Sequence, residues 1–321
     1  MKSEPVNDII KKIVCKDMGV FMEDKMFYHY FSAAEDKCGN NYSLKSLKTG
    51  KVSFAHINCF NDPCEIAILP DEIPFDTTNS DMKYLYELYI RVFCFSETFQ
   101  NPLMWGHYGN SHKGFCVGYD LNDILNIPEY KDTLRFGKVS YSDNIPLLSD
   151  EDIEKGTALY YKSSDWEQEN ESRATIRLPH NSDNHISKIE FKRAREEWLE
   201  SNPFFEKAVD SHLRLPFPLS SDVKEIRNRI QTIRQDIKGF ENKDYAYCAF
   251  TEKTTGKTVY GKFPMRVECS LKAKVIYIGL NTSDEVRTEL KNYAKANGIK
   301  IYEIGIERGK YSFIPQKVVL L

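Results

Sequence analysis

The chain has 321 residues, of which 41% are hydrophobic and 28% are charged, and its formal net charge at pH 7 is −3. This length and composition predict an ordinary globular protein with one large domain, or with a domain that carries a sizeable insertion. The small negative charge argues against a general electrostatic attraction to nucleic acid or to an anionic membrane.

The first elements are predicted close to the N-terminus. Residues 1–20 have the apolar spacing of a short helix, and residues 27–32, FYHYFS, are rich in the aromatic side chains that favour strands. Side chains alternate between the two faces of a strand. The alternation therefore predicts two groups, Phe27, His29 and Phe31 on one face and Tyr28 and Tyr30 on the other.

A helix, a strand and a turn are predicted next. Residues 43–50 have the pattern of a short helix, with Ser43 as N-cap and Gly50 as its end. A strand follows over 51–57. The Asn-Asp-Pro sequence within 59–65 favours a turn.

The middle of the chain alternates between helical and extended patterns. We predict a helix over 81–92, which continues into a strand over 93–97. Asn101 and Pro102 are typical of a helix start, as N-cap and first residue. Further along, we predict a strand over 113–120, a helix or turn over 157–168 and a strand over 170–178.

Residues 179–245 have a different character, because they are charged and helical in pattern. From Leu219 onward, apolar residues follow a heptad spacing, which predicts a helical hairpin or a surface for dimerisation or partner binding within 187–240. Residues 274–307 return to strand, helix and strand. The sequence thus predicts an α+β domain over 1–178 and 246–321, with a mixed sheet, and a helical insertion over 179–245.

The most informative segment for chemistry is WEQENESR, residues 166–173. If the chain is extended from about residue 169, Glu169, Glu171 and Arg173 lie on one face. Two carboxylates this close repel each other, so we expect one carboxyl pKa to rise, and the nearby arginine can keep one of them ionised or hold a phosphate. The alternative is a solvated, charged edge strand.

Other candidates surround this motif in the sequence. Trp105, His107 and Tyr108 fall within four positions and form a possible stacking and hydrogen-bonding platform, or else an aromatic helix packed into the core. His29 is either a ligand-binding or a structural strand histidine. Asn61 and Asp62 either bind a ligand or shape their turn. His56, Cys59 and Cys64 lack a fourth ligand at a convincing spacing, so we expect no metal.

The motifs, taken together and in order, resemble a bacterial family known as domain of unknown function number twenty-nine seventy-one. The matching residues are Asn61 to Pro63, Cys94 to Glu97, Asn101 to Tyr108, His112 to Asp120, and Trp166, Glu169, Glu171 and Arg173. The likeness extends over about 26–178 and 270–315, and residues 179–260 depart from it.

More distantly, the layout resembles the ADP-ribosyltransferase fold of toxin and phage-defence effectors. The resemblance implies NAD as substrate and a macromolecular acceptor. It implies that Glu171 holds the ribose and stabilises an oxocarbenium-like transition state, that Glu169 orients the acceptor, that His29 binds the ribose, and that Tyr108 or Trp105 stacks on nicotinamide. The remaining candidate NAD contacts are Tyr30, Ser96, His107, Lys113, Arg173, Asn61 and Asp62.

Two other functions are compatible with the sequence. One is a metal-dependent nuclease or hydrolase that uses His107, His112 and the carboxylates, and the other is a non-enzymatic sensor that works through the helices of 187–240. The segment MKSEPVNDIIKK contains no apolar leader, no run of about 18 apolar residues occurs, and the eight cysteines form no CxxC pair. We therefore expect a cytoplasmic protein with reduced thiols and no membrane contact.

Overall fold

The computed structural model describes residues 25–62, 69–70, 90–144, 147–148, 156–178, 185–201, 244–251, 258–310 and 312–318. The helix predicted over 1–20, residues 81–89 of the next predicted helix and the heptad pattern after Leu219 lie outside these residues. Within them, no helix is long and apolar enough to cross a bilayer.

The described strands are β1 (Met26–Phe31), β2 (Lys51–Ala55), β3 (Leu69–Pro70), β4 (Ile90–Ser96), β5 (Phe115–Asp120), β6 (Arg135–Lys138), β7 (Ser140–Tyr141), β8 (Leu147–Leu148), β9 (Tyr161–Lys162), β10 (Glu171–Arg177), β11 (His185–Ile186), β12 (Tyr245–Thr251), β13 (Thr258–Pro264), β14 (Arg266–Ser270), β15 (Val275–Ile278), β16 (Lys300–Ile306) and β17 (Phe313–Lys317). The described α-helices are α1 (Tyr42–Thr49), α2 (Pro102–His107), α3 (Leu121–Leu125), α4 (Lys188–Ser201) and α5 (Asp284–Asn297). Short 3₁₀ helices cover Ile57–Cys59, Pro128–Tyr130, Thr157–Tyr160 and Ser164–Glu169.

One mixed sheet of ten described strands organises the structure. Its main path runs β14-β2-β4-β1-β5-β15-β16-β17, and β10 joins the second edge of β4 and carries β6 on its far side. All these pairs are antiparallel except β15 with β16, which α5 connects in a parallel crossover. A mixed sheet with helices packed on it is the predicted α+β class.

The sheet splits along one edge of β4. On its other edge β4 pairs with β10 over seven residues, from Glu171↔Ser96 to Arg177↔Ile90. On the split edge it meets β2 only at Ala55↔Val92 and β1 only at Tyr28↔Ser96. Because β1 and β2 diverge between these two points, the sheet has an opening beside Cys94.

The two faces of the sheet have separate cores, as the alternation predicted. Phe27 and Phe31 of β1 lie in the larger apolar core, with Ala174 and Ile176 of β10 and residues of α5. Tyr28 and Tyr30 pack on the opposite face, with Trp105. The polar members of β10, Glu171 and Arg173, therefore lie on the face opposite the larger core.

Several local predictions need correction. The helix predicted over 81–92 is wrong in its last three residues, because Ile90, Arg91 and Val92 belong to β4, where β-rich composition and pairing with β10 outweigh helical spacing. The N-cap of α1 is Asn41 and not Ser43, since the Asn41 side chain accepts a hydrogen bond from the Leu44 N–H. The strands β12, β13 and β14 were not predicted.

Other local predictions are confirmed. Gly50 ends α1 in the left-handed conformation, Asn101 caps α2 with Pro102 as first residue, and Ser283 caps α5. Within the predicted helical insertion, Lys188–Ser201 is helical, as α4, but His185–Ile186 forms the strand β11, and residues 202–243 lie outside the described chain. The proposed division into two domains stays a prediction.

Candidate functional site

A cavity of about 620 Å³ opens at the split of the sheet. Its size is typical of small-molecule sites, which occupy roughly 300–1,000 Å³. It is lined by residues of β1, β2, β4, β9, β10 and β14, of α1 and α2, of the turn after β2 and of the 3₁₀ helix Ser164–Glu169. Ten of the residues predicted as site residues line it: His29, Tyr30, Asn61, Asp62, Ser96, His107, Tyr108, Glu169, Glu171 and Arg173.

Glu171 is the first residue of β10, and its carboxylate is buried and fully paired. Arg173, on the same face two residues later, donates from Nε to Oε1 at 2.9 Å and from Nη2 to Oε2 at 3.1 Å. Lys162 Nζ lies 3.3 Å from Oε2, and the Cys94 thiol also hydrogen-bonds to this carboxylate. Burial alone would raise the pKa of Glu171, but these partners lower it to about 2.

Glu169 comes to the same place by a different backbone route. It is the last residue of a 3₁₀ helix, and Asn170 then adopts a left-handed conformation with φ of 44° before β10 begins. The extended conformation predicted from residue 169 is therefore wrong, although the two carboxylates do converge. Lys162 Nζ contacts Glu169 Oε2 at 2.5 Å, and the Tyr108 hydroxyl donates to Oε1 at 2.5 Å.

Lys162 links the two carboxylates. Burial would lower the pKa of its ammonium group, but Glu171 and Glu169 raise it, so Lys162 stays charged. Its Nζ also lies 4.7 Å from the centre of the Trp166 ring, a cation–π contact. Two anions and two cations, counting Arg173, make this buried group neutral overall. The pKa rise that repulsion predicted for one carboxyl is wrong for Glu171, because these cations outweigh the repulsion.

The two carboxylates differ in what they can still bind. A carboxylate has about four acceptor positions. Glu171 receives three N–H donors from Arg173 and Lys162 and the Cys94 thiol, so its positions are filled. Glu169 receives Tyr108 and Lys162, which leaves it with about two positions for a ligand. Burial and Glu169 raise the pKa of Tyr108, so its hydroxyl stays a donor.

His29 occupies the opening in the sheet. Its Nδ1 lies 2.7 Å from the main-chain oxygen of Cys94, and its ring stacks on Phe93 with centroids 4.3 Å apart. Burial lowers its pKa to about 4, so the ring is neutral at neutral pH. Since a carbonyl only accepts, Nδ1 carries the proton. Nε2 is then an acceptor on a ring that lines the cavity.

The other predicted contacts have varied placements. The Ser96 hydroxyl donates to the Glu169 main-chain oxygen at 2.8 Å, and the Tyr30 hydroxyl donates to Thr98 O at 2.9 Å, so both hydroxyls hold the chain around the site. Trp105 is fully buried, donates to Phe99 O and does not line the cavity. Lys113 is exposed and also lies outside the cavity lining.

Lys162 and Tyr141 were missed by the sequence reasoning. Lys162 lies on β9, which pairs with β7 at Tyr141↔Lys162, and the Tyr141 hydroxyl accepts a hydrogen bond from the Glu171 N–H at 2.8 Å. Both strands have only two residues and leave no periodic signal. The one usable signal was charge, because two adjacent buried carboxylates need cations beyond a single arginine.

No group of three histidine, cysteine, aspartate or glutamate side chains in the described chain is arranged to hold a metal ion. The two histidines that the nuclease hypothesis uses have different positions relative to the cavity. His107 is exposed at the cavity, whereas His112 contacts Phe313 and does not line it.

Comparison with known families agrees with the motif resemblance. Residues 104–174 match the model of a family described as "Protein of unknown function (DUF2971)". This segment holds the last four residues of α2, all of β5 and β9 and the first four residues of β10, and so includes Tyr108, Lys162, Glu169, Glu171 and Arg173. The wider likeness over 26–103, 175–178 and 270–315 stays a prediction. Comparison with curated proteins and with solved structures finds no match.

Proposed function

We propose that this chain, whose residues 104–174 match the DUF2971 family model, binds NAD in the cavity and breaks the bond between nicotinamide and ribose. The products are nicotinamide and ADP-ribose, which is transferred to water or to a nucleophile on a macromolecular acceptor, with release of one proton. One observation carries the proposal. Two carboxylates, a neutral histidine and a tyrosine from three separate segments of the chain line one cavity of nucleotide size.

The electrostatics support this reaction. Cleavage of an N-glycosidic bond develops positive charge on the ribose ring, and a fixed carboxylate beside it lowers the barrier. The low pKa of Glu171 keeps its carboxylate ionised throughout the physiological range. Its donors hold it in one position, so its charge needs no reorganisation during the reaction. We assign Glu171 this electrostatic role.

We assign the other contacts with NAD from the hydrogen-bonding positions that Glu169 and His29 still have available. Glu169 has acceptor positions available, and we assign it the ribose hydroxyl that the sequence resemblance gave to Glu171. His29 Nε2 is a second acceptor for a ribose hydroxyl. Tyr108 fixes Glu169 through its hydroxyl, and its ring lies at the cavity beside exposed His107, where the nicotinamide ring can stack.

Glu169→Gln tests the proposal with the least structural damage, because it leaves the Lys162–Glu171 pair in place. Purified full-length chain is incubated with NAD, nicotinamide release is followed by chromatography, and NAD binding is measured by saturation-transfer NMR. The wild type binds NAD and releases nicotinamide. The variant releases it about 100-fold more slowly, the effect expected when one transition-state contact is lost.

Glu167→Gln is the matched control, since Glu167 lies in the same 3₁₀ helix but is exposed and outside the cavity lining. It should behave as the wild type. Binding is measured beside turnover because it does not require the acceptor. A wild-type chain that neither binds NAD nor releases nicotinamide would overturn the proposal, and so would equal turnover by Glu169→Gln.

A further inference from the structure

We propose that the cavity has a second, anion-binding end, where Arg266 with the hydroxyls of Ser43 and Ser53 binds a phosphate group. Arg266, Ser43 and Ser53 all line the cavity. This anion-binding end belongs to the cavity of the proposed function, and only the identity of its ligand as NAD rests on that function. The binding of a phosphate group at Arg266 stands on separate residues and on a separate measurement.

Strand register places the arginine and one serine together. Arg266, the first residue of β14, lies directly opposite Ala55 of β2, and Ser53 lies two residues before Ala55. Residues two apart on a strand share a face, and diagonal neighbours across an antiparallel pair are about 7–8 Å apart. A long arginine side chain spans this distance, so both groups can reach one phosphate.

The second serine comes from α1, which packs beside β2. Ser43 is the second residue of α1, whose first turn contains no acidic side chain. Its main-chain N–H lies at the positive end of the helix, where an anion is favoured. Ser46 also lines the cavity, but its hydroxyl already donates to the Lys51 main-chain oxygen. Ser46 is therefore the natural control.

The charge of Arg266 is available for a ligand. Arg266 is exposed and forms neither an ion pair nor a hydrogen bond with any residue in the described part of the chain. The other two cations that line the cavity, Lys162 and Arg173, are committed to Glu169 and Glu171. Glu268, opposite Ser53, pairs with Lys51 at 3.7 Å and does not line the cavity. An arginine fork with hydroxyl donors is the usual chemistry of phosphate recognition.

The spacing defines the class of ligand. Ala55 meets β4 at Val92, whereas Glu171 meets it at Ser96. Four residues of strand separate these points along β4, which is roughly 13 Å, and three strand spacings of about 4.8 Å each separate β14 from β10 across the sheet. All of these positions share one face of the sheet. A ligand that reaches both ends has a sugar at the carboxylates and phosphate further along, which fits a dinucleotide and excludes a bare nucleoside.

The experiment compares three probes on the full-length chain by isothermal titration calorimetry: NAD, nicotinamide riboside and inorganic pyrophosphate. In the wild type, pyrophosphate and NAD bind. Arg266→Gln weakens both by about tenfold or more, the usual loss for one charged hydrogen-bonding partner. It leaves the affinity for nicotinamide riboside, which has no phosphate, unchanged. Ser53→Ala weakens pyrophosphate binding by a smaller factor, and Ser46→Ala has no effect.

The outcomes separate this inference from the proposed function. Pyrophosphate binding that depends on Arg266, in a chain that does not cleave NAD, retains the anion site and removes the proposed reaction. NAD cleavage with the same KM in Arg266→Gln as in the wild type overturns the anion site and leaves the reaction in place. The absence of pyrophosphate binding in the wild type also overturns the anion site.

Discussion

The two ends of the cavity treat charge in opposite ways. At the β10 end, Lys162, Glu169, Glu171 and Arg173 are buried and neutralise one another. At the β14 end, Arg266 is exposed and has no partner in the described chain. A buried charge is tolerated only with partners, whereas an exposed one is stabilised by water. The β10 end should therefore contribute to stability, and the β14 end to ligand binding alone.

The largest expected effect is at the β10 end. Glu171→Gln removes the anion that Arg173 and Lys162 share, and leaves buried positive charge without compensation. We expect the free energy of unfolding to fall by about 3–5 kcal/mol, as measured by urea denaturation. Glu268→Gln, at an exposed pair, should cost less than about 1 kcal/mol. Equal losses for the two variants would contradict the comparison.

The second expected effect is a dependence of stability on pH. Burial lowers the pKa of His29 to about 4 and, with the charge of Arg91, that of His56 to about 3, against 6.5 for an ordinary histidine. The unfolded chain thus binds more protons below pH 6.5. Each histidine therefore makes its full contribution to the free energy of unfolding above pH 6.5. The contribution of His29 falls by about 3 kcal/mol as the pH drops toward 4.

Thermal denaturation of the wild type and of His29→Asn across pH 4–7 measures this term. Over this interval, the free energy of unfolding of the variant should depend less steeply on pH than that of the wild type. The expected difference in slope is roughly 1.4 kcal/mol per pH unit, the value for one bound proton. Parallel curves for the two proteins would show that His29 is not held neutral. Glu171 adds a further loss below pH 4.5, because its carboxylate is paired until the pH approaches 2.

The smallest expected effect is at the β14 end. Arg266→Gln removes no ion pair or hydrogen bond within the described chain, so its free energy of unfolding should stay within about 0.5 kcal/mol of the wild type. The same urea titration measures it. A loss of more than about 2 kcal/mol would show that the arginine is a structural residue.

The sequence predicted much of the site because its chemistry is local. The alternation along β10 put Glu171 and Arg173 on one face, away from Ala174 and Ile176, and the structure agrees. The alternation along β1 likewise separated Phe27 from Tyr28. Helix caps at Asn101 and Ser283 were readable because capping depends on a few adjacent residues.

The rest depends on contacts between residues that are far apart in the sequence. Lys162 enters the site through a two-residue strand, and Asn170 turns the chain with a left-handed backbone that its side chain only weakly signals. The limits of β4 follow from its pairing with β10, whose residues lie 75 to 87 positions further along the chain. Trp105 lies in an aromatic segment whose sequence is equally typical of a ligand-binding surface and of a core helix, and the fold buries its side chain.

The opening beside Cys94 has a consequence for how the fold can vary. An ordinary ladder fixes neighbouring strands about 4.8 Å apart through main-chain hydrogen bonds. Here a single residue pair joins β4 to β1 and another joins it to β2, and between these two pairs the His29 ring, in place of a neighbouring strand, contacts the Cys94 carbonyl. The width of the gap is thus set by side-chain volume, at His29 and Phe93. Exchanging these rings is a route to a wider or narrower aperture with every strand of the sheet left in register.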